Sequence, residues 1–127
     1  YAPKPTSIDV PLPEVLKNRG GVCQDYSHIV IGGLRSLRLA ARYVSGYLYP
    51  KEGEIGESVT GESHAWVEAW DGGWWACDPT NGSEVGERHT AVARGRDYSD
   101  VSPLKGIYSG GISEDLGVEV SLTRLPR

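Results

Sequence analysis

Two β-rich runs joined by Asp71-Gly72-Gly73 do most to restrict how this chain can fold. His64-Ala-Trp-Val-Glu-Ala-Trp70 and Trp74-Trp-Ala-Cys-Asp78 are short, strand-length and aromatic. Asp-Gly-Gly between them is a hairpin signal, because glycine enters the positive-φ conformations that tight turns need. If residues 71–73 form the loop, Trp70 pairs with Trp74, Trp66 faces Asp78 and His64 faces Thr80. Side chains alternate faces along a strand, so His64 and Asp78 become diagonal neighbours on one face. One more loop residue would put them on opposite faces.

Upstream lies Gly20-Gly21-Val22-Cys23-Gln24-Asp25-Tyr26-Ser27-His28. Cys23 opens an apolar-periodic run that predicts a helix from Cys23 to about Leu37. Tyr26, Ile29, Val30, Gly33, Leu34 and Leu37 recur at spacings of three and four and are the expected buried stripe. Gly32 and Gly33 weaken helix propensity, which points to close packing against a sheet as their reason. A thiol at a helix start sits where backbone N–H groups and the helix dipole favour an anion, the form in which sulfur is a nucleophile.

The remaining elements follow from local pattern. Residues 1–12 carry Pro3, Pro5 and Pro11 and read as an extended lead-in. Pro13 to Arg19 reads as a short helix stopped by Gly20. Arg42 to Tyr49 alternates as a strand, and Pro50 to Glu62 reads as a polar loop. Pro79 to Gly82 is a turn. His89 to Ala93 is a candidate strand, Arg94 to Gly111 is mostly loop, and Val118 to Leu125 alternates as a final strand. A helical front followed by antiparallel strands gives an α+β fold, with the central helix packed on an antiparallel sheet.

The 127 residues suit one domain, expected to be a piece of a longer protein because the chain starts at Tyr1 and contains no Met. The net charge is −4, and no Lys/Arg block is present, which argues against nucleic acid or an anionic membrane as partner. No apolar run is long enough to span a bilayer, and no signal peptide is visible, so a cytoplasmic location is expected. Cys23 and Cys77 are expected as free thiols, in keeping with the rarity of cytosolic disulfides.

A nucleophilic cysteine needs a base, and the base needs an orienting group. His28 follows Cys23 by five residues on the same helix, an offset that turns it away from the thiol, and it is expected in a polar contact. His64 opens a strand after a polar loop, where a base can face a cleft. Asp78, on its face, can take a hydrogen bond from one ring nitrogen and leave the other for Cys23. Cys77 points the opposite way and is expected in the core. Glu68 shares the face of His64 but lies further from it than Asp78. Trp66, Trp70, Trp74 and Trp75 divide between groove walls and cross-strand pairs. The rival chemistry is a zinc site from Cys23, His28, His64 and Cys77, disfavoured by the lack of CxxC or HxxxH spacing and by the opposite faces of Cys77 and His64. No metal is expected.

Gly-Val-Cys-Gln-Asp-Tyr-Ser-His at 21–28, Ala-Arg-Tyr-Val-Ser-Gly-Tyr at 41–47, His-Ala-Trp-Val-Glu-Ala-Trp at 64–70 and Asp-Pro-Thr-Asn-Gly at 78–82 resemble the bacterial transglutaminase-like superfamily, in that family's order. Gly95-Arg-Asp-Tyr-Ser-Asp-Val101 extends the resemblance. It implies a papain-like core and a Cys23–His64–Asp78 triad with Cys23 as nucleophile, His64 as base and Asp78 as orienting partner. It also implies acyl transfer through a thioester, with no cofactor. Two departures stand out. Gln24 follows Cys23 where animal transglutaminases carry Trp, and no Gln shortly precedes Cys23 as in papain-like proteases. The Cys23 backbone N–H is therefore the first oxyanion donor to consider, with Gln24 and Trp66 as further oxyanion or cleft candidates. Nothing resembles the calcium-binding domains of the animal enzymes.

Three functions follow. The first is protease-like hydrolysis of peptide or isopeptide amides, with a peptide or protein as substrate. The second is protein-glutamine transamidation, which shares the thioester but passes the acyl group to an amine. The third is a non-catalytic binding domain that keeps the fold. A lost triad member would mark the third, and none is lost.

Overall fold

The hairpin forms with the expected register in the computed structural model of the chain: Trp70 pairs with Trp74, Ala69 with Trp75 and Val67 with Cys77. The structure describes residues 13, 20–50, 55–103, 107, 109–112, 114 and 117–127. The expected lead-in and nearly all of the expected helix before Gly20 lie outside these residues. The elements described are α1 (Cys23–Ser36), β1 (Ala41–Leu48), β2 (Ser58–Thr60), β3 (Glu62–Trp70), β4 (Trp74–Asp78), β5 (Ser83–Glu84), β6 (His89–Gly95), α2 (Tyr98–Val101) and β7 (Ser121–Thr123).

One sheet has the order β5-β4-β3-β1-β6, antiparallel throughout. Its two outer strands are joined by residues 85–88 alone, so the sheet must curl until its ends approach. The curl gives it an inner face and an outer face. Ala41, Tyr43, Ala65 and Val67 form the core with Ile31 of α1 and Val101 of α2. Alternate positions on the same strands carry His64, Trp66 and Glu68. β3 is consequently buried on both faces from His64 to Ala69, which its unbroken burial shows.

Five expectations need correction. The buried stripe of α1 is not the predicted one: Cys23, Ser27, Val30, Ile31 and Leu34 face the core, whereas Ile29 is 38% and Leu37 73% exposed. Apolar spacing alone misled, because the packed stripe includes the small polar Ser27. Gly32 and Gly33 are exposed, with open space where a Cβ would stand, so sheet packing is not their reason. The loop predicted over residues 50–62 contains β2, which pairs with β7 in a separate two-stranded sheet. That ladder ends with Gly56 N–H to Arg124 O and Gly61 N–H to Val120 O, so the predicted strand over Val118–Leu125 is confined to Ser121–Thr123. The predicted loop after Ala93 likewise holds the end of β6 and the short α2, whose start is capped by the Asp97 carboxylate accepting from Ser99 N–H.

Gly46 of β1 lies opposite His64 and is packed without slack. A Cβ there would stand 2.1 Å from the Thr90 carbonyl oxygen and 2.7 Å from Cη2 of Trp66. The missing side chain is what leaves room for the Trp66 ring edge and the Thr90 carbonyl beside β1. Gly46→Ala is expected to cost about 2–3 kcal/mol and to lower Tm by roughly 10 °C. Thermal unfolding of the variant beside the parent chain checks this.

Candidate active site

The site begins at the start of α1. Asp25 accepts the Val22 N–H at 2.8 Å, closing the first turn around Cys23. A Cβ at Gly21 would stand 2.6 Å from Oδ2 of Asp25, so the residue type there leaves room for this closure. Cys23 is left half-buried at the first helical position. It is a free thiol, as is Cys77. Cys77, paired with Val67, packs on the same core face, and burial pushes its thiol pKa up.

His64 and Asp78 meet as the hairpin register requires. Nε2 of His64 lies 2.7 Å from Oδ2 of Asp78. The carboxylate is 1% exposed. Burial alone would raise its pKa, but hydrogen bonds from His64, His89 and Asn81 outweigh that and hold it well below the usual range. An ionised carboxylate only accepts, so the ring nitrogen donates. The other carboxylate oxygen, Oδ1, accepts the Thr80 and Asn81 N–H groups at 3.1 and 3.2 Å, and the Asn81 side chain donates to Oδ2 at 2.8 Å. Asp78-Pro79-Thr80-Asn81 is thus a turn built around its own first side chain.

His64 is tuned from two sides. Burial alone would lower its pKa, but hydrogen bonding to Asp78 and to the Cys23 thiol pushes it up to about 9. Nε2 is committed to Asp78, so Nδ1 is the nitrogen left for Cys23. The arrangement can hold a proton on the imidazole beside the Cys23 sulfur, with a buried carboxylate fixing the ring.

The other candidates separate cleanly. His28 accepts the Tyr98 N–H at 3.2 Å and stacks near Tyr43, the polar contact expected of it. Burial lowers its pKa. Glu68 is taken by Arg42 at 2.5 Å and Arg94 at 3.0 Å, so it does not compete for His64. Trp70 and Trp74 pack edge to face at 5.4 Å, with the Arg42 guanidinium 3.8 Å from the Trp74 ring centre. Trp66, expected at a cleft, is 1% exposed and instead supports the rings of His64 and His89 at 6.2 and 5.1 Å. Gln24 stays partly exposed beside Cys23.

His89 is the residue that sequence reasoning missed. It was legible only as the start of a strand. Its Nε2 lies 2.9 Å from the same Oδ2 of Asp78. The zinc set of Cys23, His28, His64 and Cys77 does not assemble. Among the described residues the ligand-type atoms that gather are those of His64, Asp78 and His89, within 4.8 Å of one another. Two of the spacings, 2.7 and 2.9 Å, are hydrogen bonds, so this is a proton-sharing cluster.

Residues 1–79 match the sequence profile of the Transglutaminase-like superfamily. The chain is 50% identical over 126 residues to an uncharacterized protein of Mycobacterium leprae, covering 98% of this chain and 45% of that protein. An uncharacterized protein of Mycobacterium tuberculosis H37Rv is 41% identical over 137 residues, covering 99% of this chain and 42% of that one. The chain therefore spans less than half the length of these relatives. Its fold matches a crystal structure of a "Putative Cysteine Protease" from Cytophaga hutchinsonii with a TM-score of 0.66 at 22% identity, over 98% of this chain and 47% of that one. No helix among the described residues is long and apolar enough to cross a membrane.

Proposed function

The chain belongs to the transglutaminase-like superfamily, and from that premise we propose that it is a cysteine-dependent acyl-transfer enzyme that hydrolyses peptide or isopeptide amide bonds. One observation carries the reading: the buried His64–Asp78 hydrogen bond presents an imidazole to a half-buried thiol at a helix start. Cys23 Sγ, as thiolate, attacks the amide carbonyl carbon and forms a C–S bond. The first N–H groups of α1, at Cys23 and Gln24, have no carbonyl one turn earlier in the helix and are the donors for the oxyanion. His64 holds its proton at neutral pH and gives it from Nδ1 to the leaving nitrogen as the C–N bond breaks. The thioester is then cleaved by water, with His64 taking the water's proton. Water needs no site of its own to reach a half-buried thioester, whereas an amine acceptor must be held and oriented.

Two measurements test this. Iodoacetamide at pH 6 is expected to label Cys23 stoichiometrically and to spare Cys77, whose raised pKa keeps it a thiol. Peptide mapping distinguishes the two sites. A Cys23 that stays inert in the folded protein would leave a non-catalytic domain as the better reading. A thioester-forming substrate offered with and without a primary amine then separates acceptors. An isopeptide product outpacing hydrolysis would make the enzyme a transamidase.

A further inference from the structure

The carboxylate of Asp78 serves two histidines, and only one of them has a role so far. His89 comes from β6, on the far side of β1 from β3, and reaches Asp78 because the sheet curls. Its side chain is 7% exposed. Its Nδ1 accepts the Gly86 N–H at 3.2 Å, while the backbone N–H of His89 donates to Gly86 O at 2.9 Å. An accepting Nδ1 carries no proton, so Nε2 carries it and donates to Oδ2 of Asp78. Edge-on contact with Trp66 holds the ring plane. The tautomer and the orientation of His89 are therefore both fixed, on the atom that also orients the proposed base.

We infer that His89 is a positioning residue: its Nε2–H shares Oδ2 of Asp78 with His64, fixing the carboxylate while limiting how tightly it holds the His64 proton. This rests on the function proposed above. The groups facing His64 are Cys23 of α1, Asp78 of β4 and His89 of β6. On β3 itself Glu68 is neutralised by Arg42 of β1 and Arg94 of β6. Of these, His89 alone acts through Asp78. An acceptor oxygen engaged by a second donor carries less free charge toward the first. Added to the Asn81 side-chain donor on the same oxygen, the shared bond therefore makes His64 a readier acid toward a leaving nitrogen than it would be without His89.

A purely structural His89, a staple across the curled sheet, predicts the opposite change. Losing a staple loosens Asp78 from His64 and lowers the His64 pKa. Losing a competing donor raises it. The test is an NMR titration of the imidazole nitrogens in the parent chain, His89→Leu and His89→Gln, beside steady-state kinetics. In the parent chain, His89 is expected with Nε2 protonated and Nδ1 bare, and the reverse tautomer overturns the inference without any variant. In His89→Leu the His64 pKa should rise by about 0.5–1 unit, roughly the worth of one net hydrogen bond. kcat should fall about 3–10-fold with KM unchanged, as an acid with a raised pKa donates more slowly. His89→Gln keeps an N–H donor and should restore both. An unmoved or lowered His64 pKa in a folded variant sinks the inference. So does a raised KM with unchanged kcat, because His89 also borders a groove with Tyr49, Arg88 and Leu122 and would then be a substrate contact. The titration needs no turnover, so a shifted His64 in an inactive chain would count against the enzyme reading and leave the coupling standing.

Discussion

Cys23→Ala is expected to abolish turnover and leave the fold in place. The thiol sits at the first position of α1, half-buried at the margin of the core. Alanine is the best helix former, and only one sulfur atom's contacts are lost, so stability should fall by no more than about 1–2 kcal/mol. Catalysis has no such margin. Without a nucleophile there is no thioester, and the helix N–H groups and His64 can only assist water. Turnover of a thioester-forming substrate should drop by about 10³-fold or more. Cys23→Ser should behave nearly alike, since a hydroxyl is a far weaker nucleophile beside an imidazole that already holds its proton. Activity that survives both changes would move the nucleophile elsewhere and take the proposed mechanism with it.

Asp78→Ala should damage stability as well as activity. The carboxylate accepts from two imidazoles, one side-chain amide and two backbone N–H groups, all at a site with almost no exposure. Removing one partner of such a buried, charged network costs about 3–5 kcal/mol, because the orphaned donors stay desolvated. The dependence on pH gives this a sign. The His64 pKa is raised in the folded chain, so its contribution is fully present below about 6.5 and is lost as pH rises through about 9. The Asp78 pKa is depressed, so its contribution is present above about 3.9 and is lost as pH falls toward the folded value. Thermal stability of the parent chain should therefore be greatest between about pH 4 and 6.5, and Asp78→Ala should flatten the profile on both sides. Calorimetry across pH 3–10 reads this. A variant with the same pH profile as the parent would show that the pair contributes nothing to folding.

The parts of the site that could be read from sequence are those whose geometry is local. The register of β3 and β4 follows from a three-residue loop, and with it the meeting of His64 and Asp78. The helix beginning at Cys23 follows from periodicity and from the glycines before it. Family resemblance then links Cys23 to the hairpin, a step that spacing alone does not make. What stayed hidden depends on contacts between distant segments. β2 finds its partner more than sixty residues on, and nothing in a polar loop announces that. The inward stripe of α1 was misread because Ser27 is buried and Ile29 is not, a choice made by the sheet rather than by the helix. His89 depends on the β1–β6 register, on its bulge at Ser45/Gly46 and on the curl of the whole sheet. No local pattern encodes all three.

The curl also bears on when the chain becomes reactive. Cys23, His64, Asp78 and His89 come from four different elements, and the last of them belongs to an outer strand of the sheet. During synthesis the thiol emerges well before its imidazole, and the second imidazole later still. Until β6 closes, the carboxylate that orients His64 lacks one of its partners, and long-range antiparallel closures are slow steps of folding. A nascent or partly unfolded chain therefore carries Cys23 without its imidazole partner. In the mechanism proposed above, reactivity arrives only with the topological completion of the sheet.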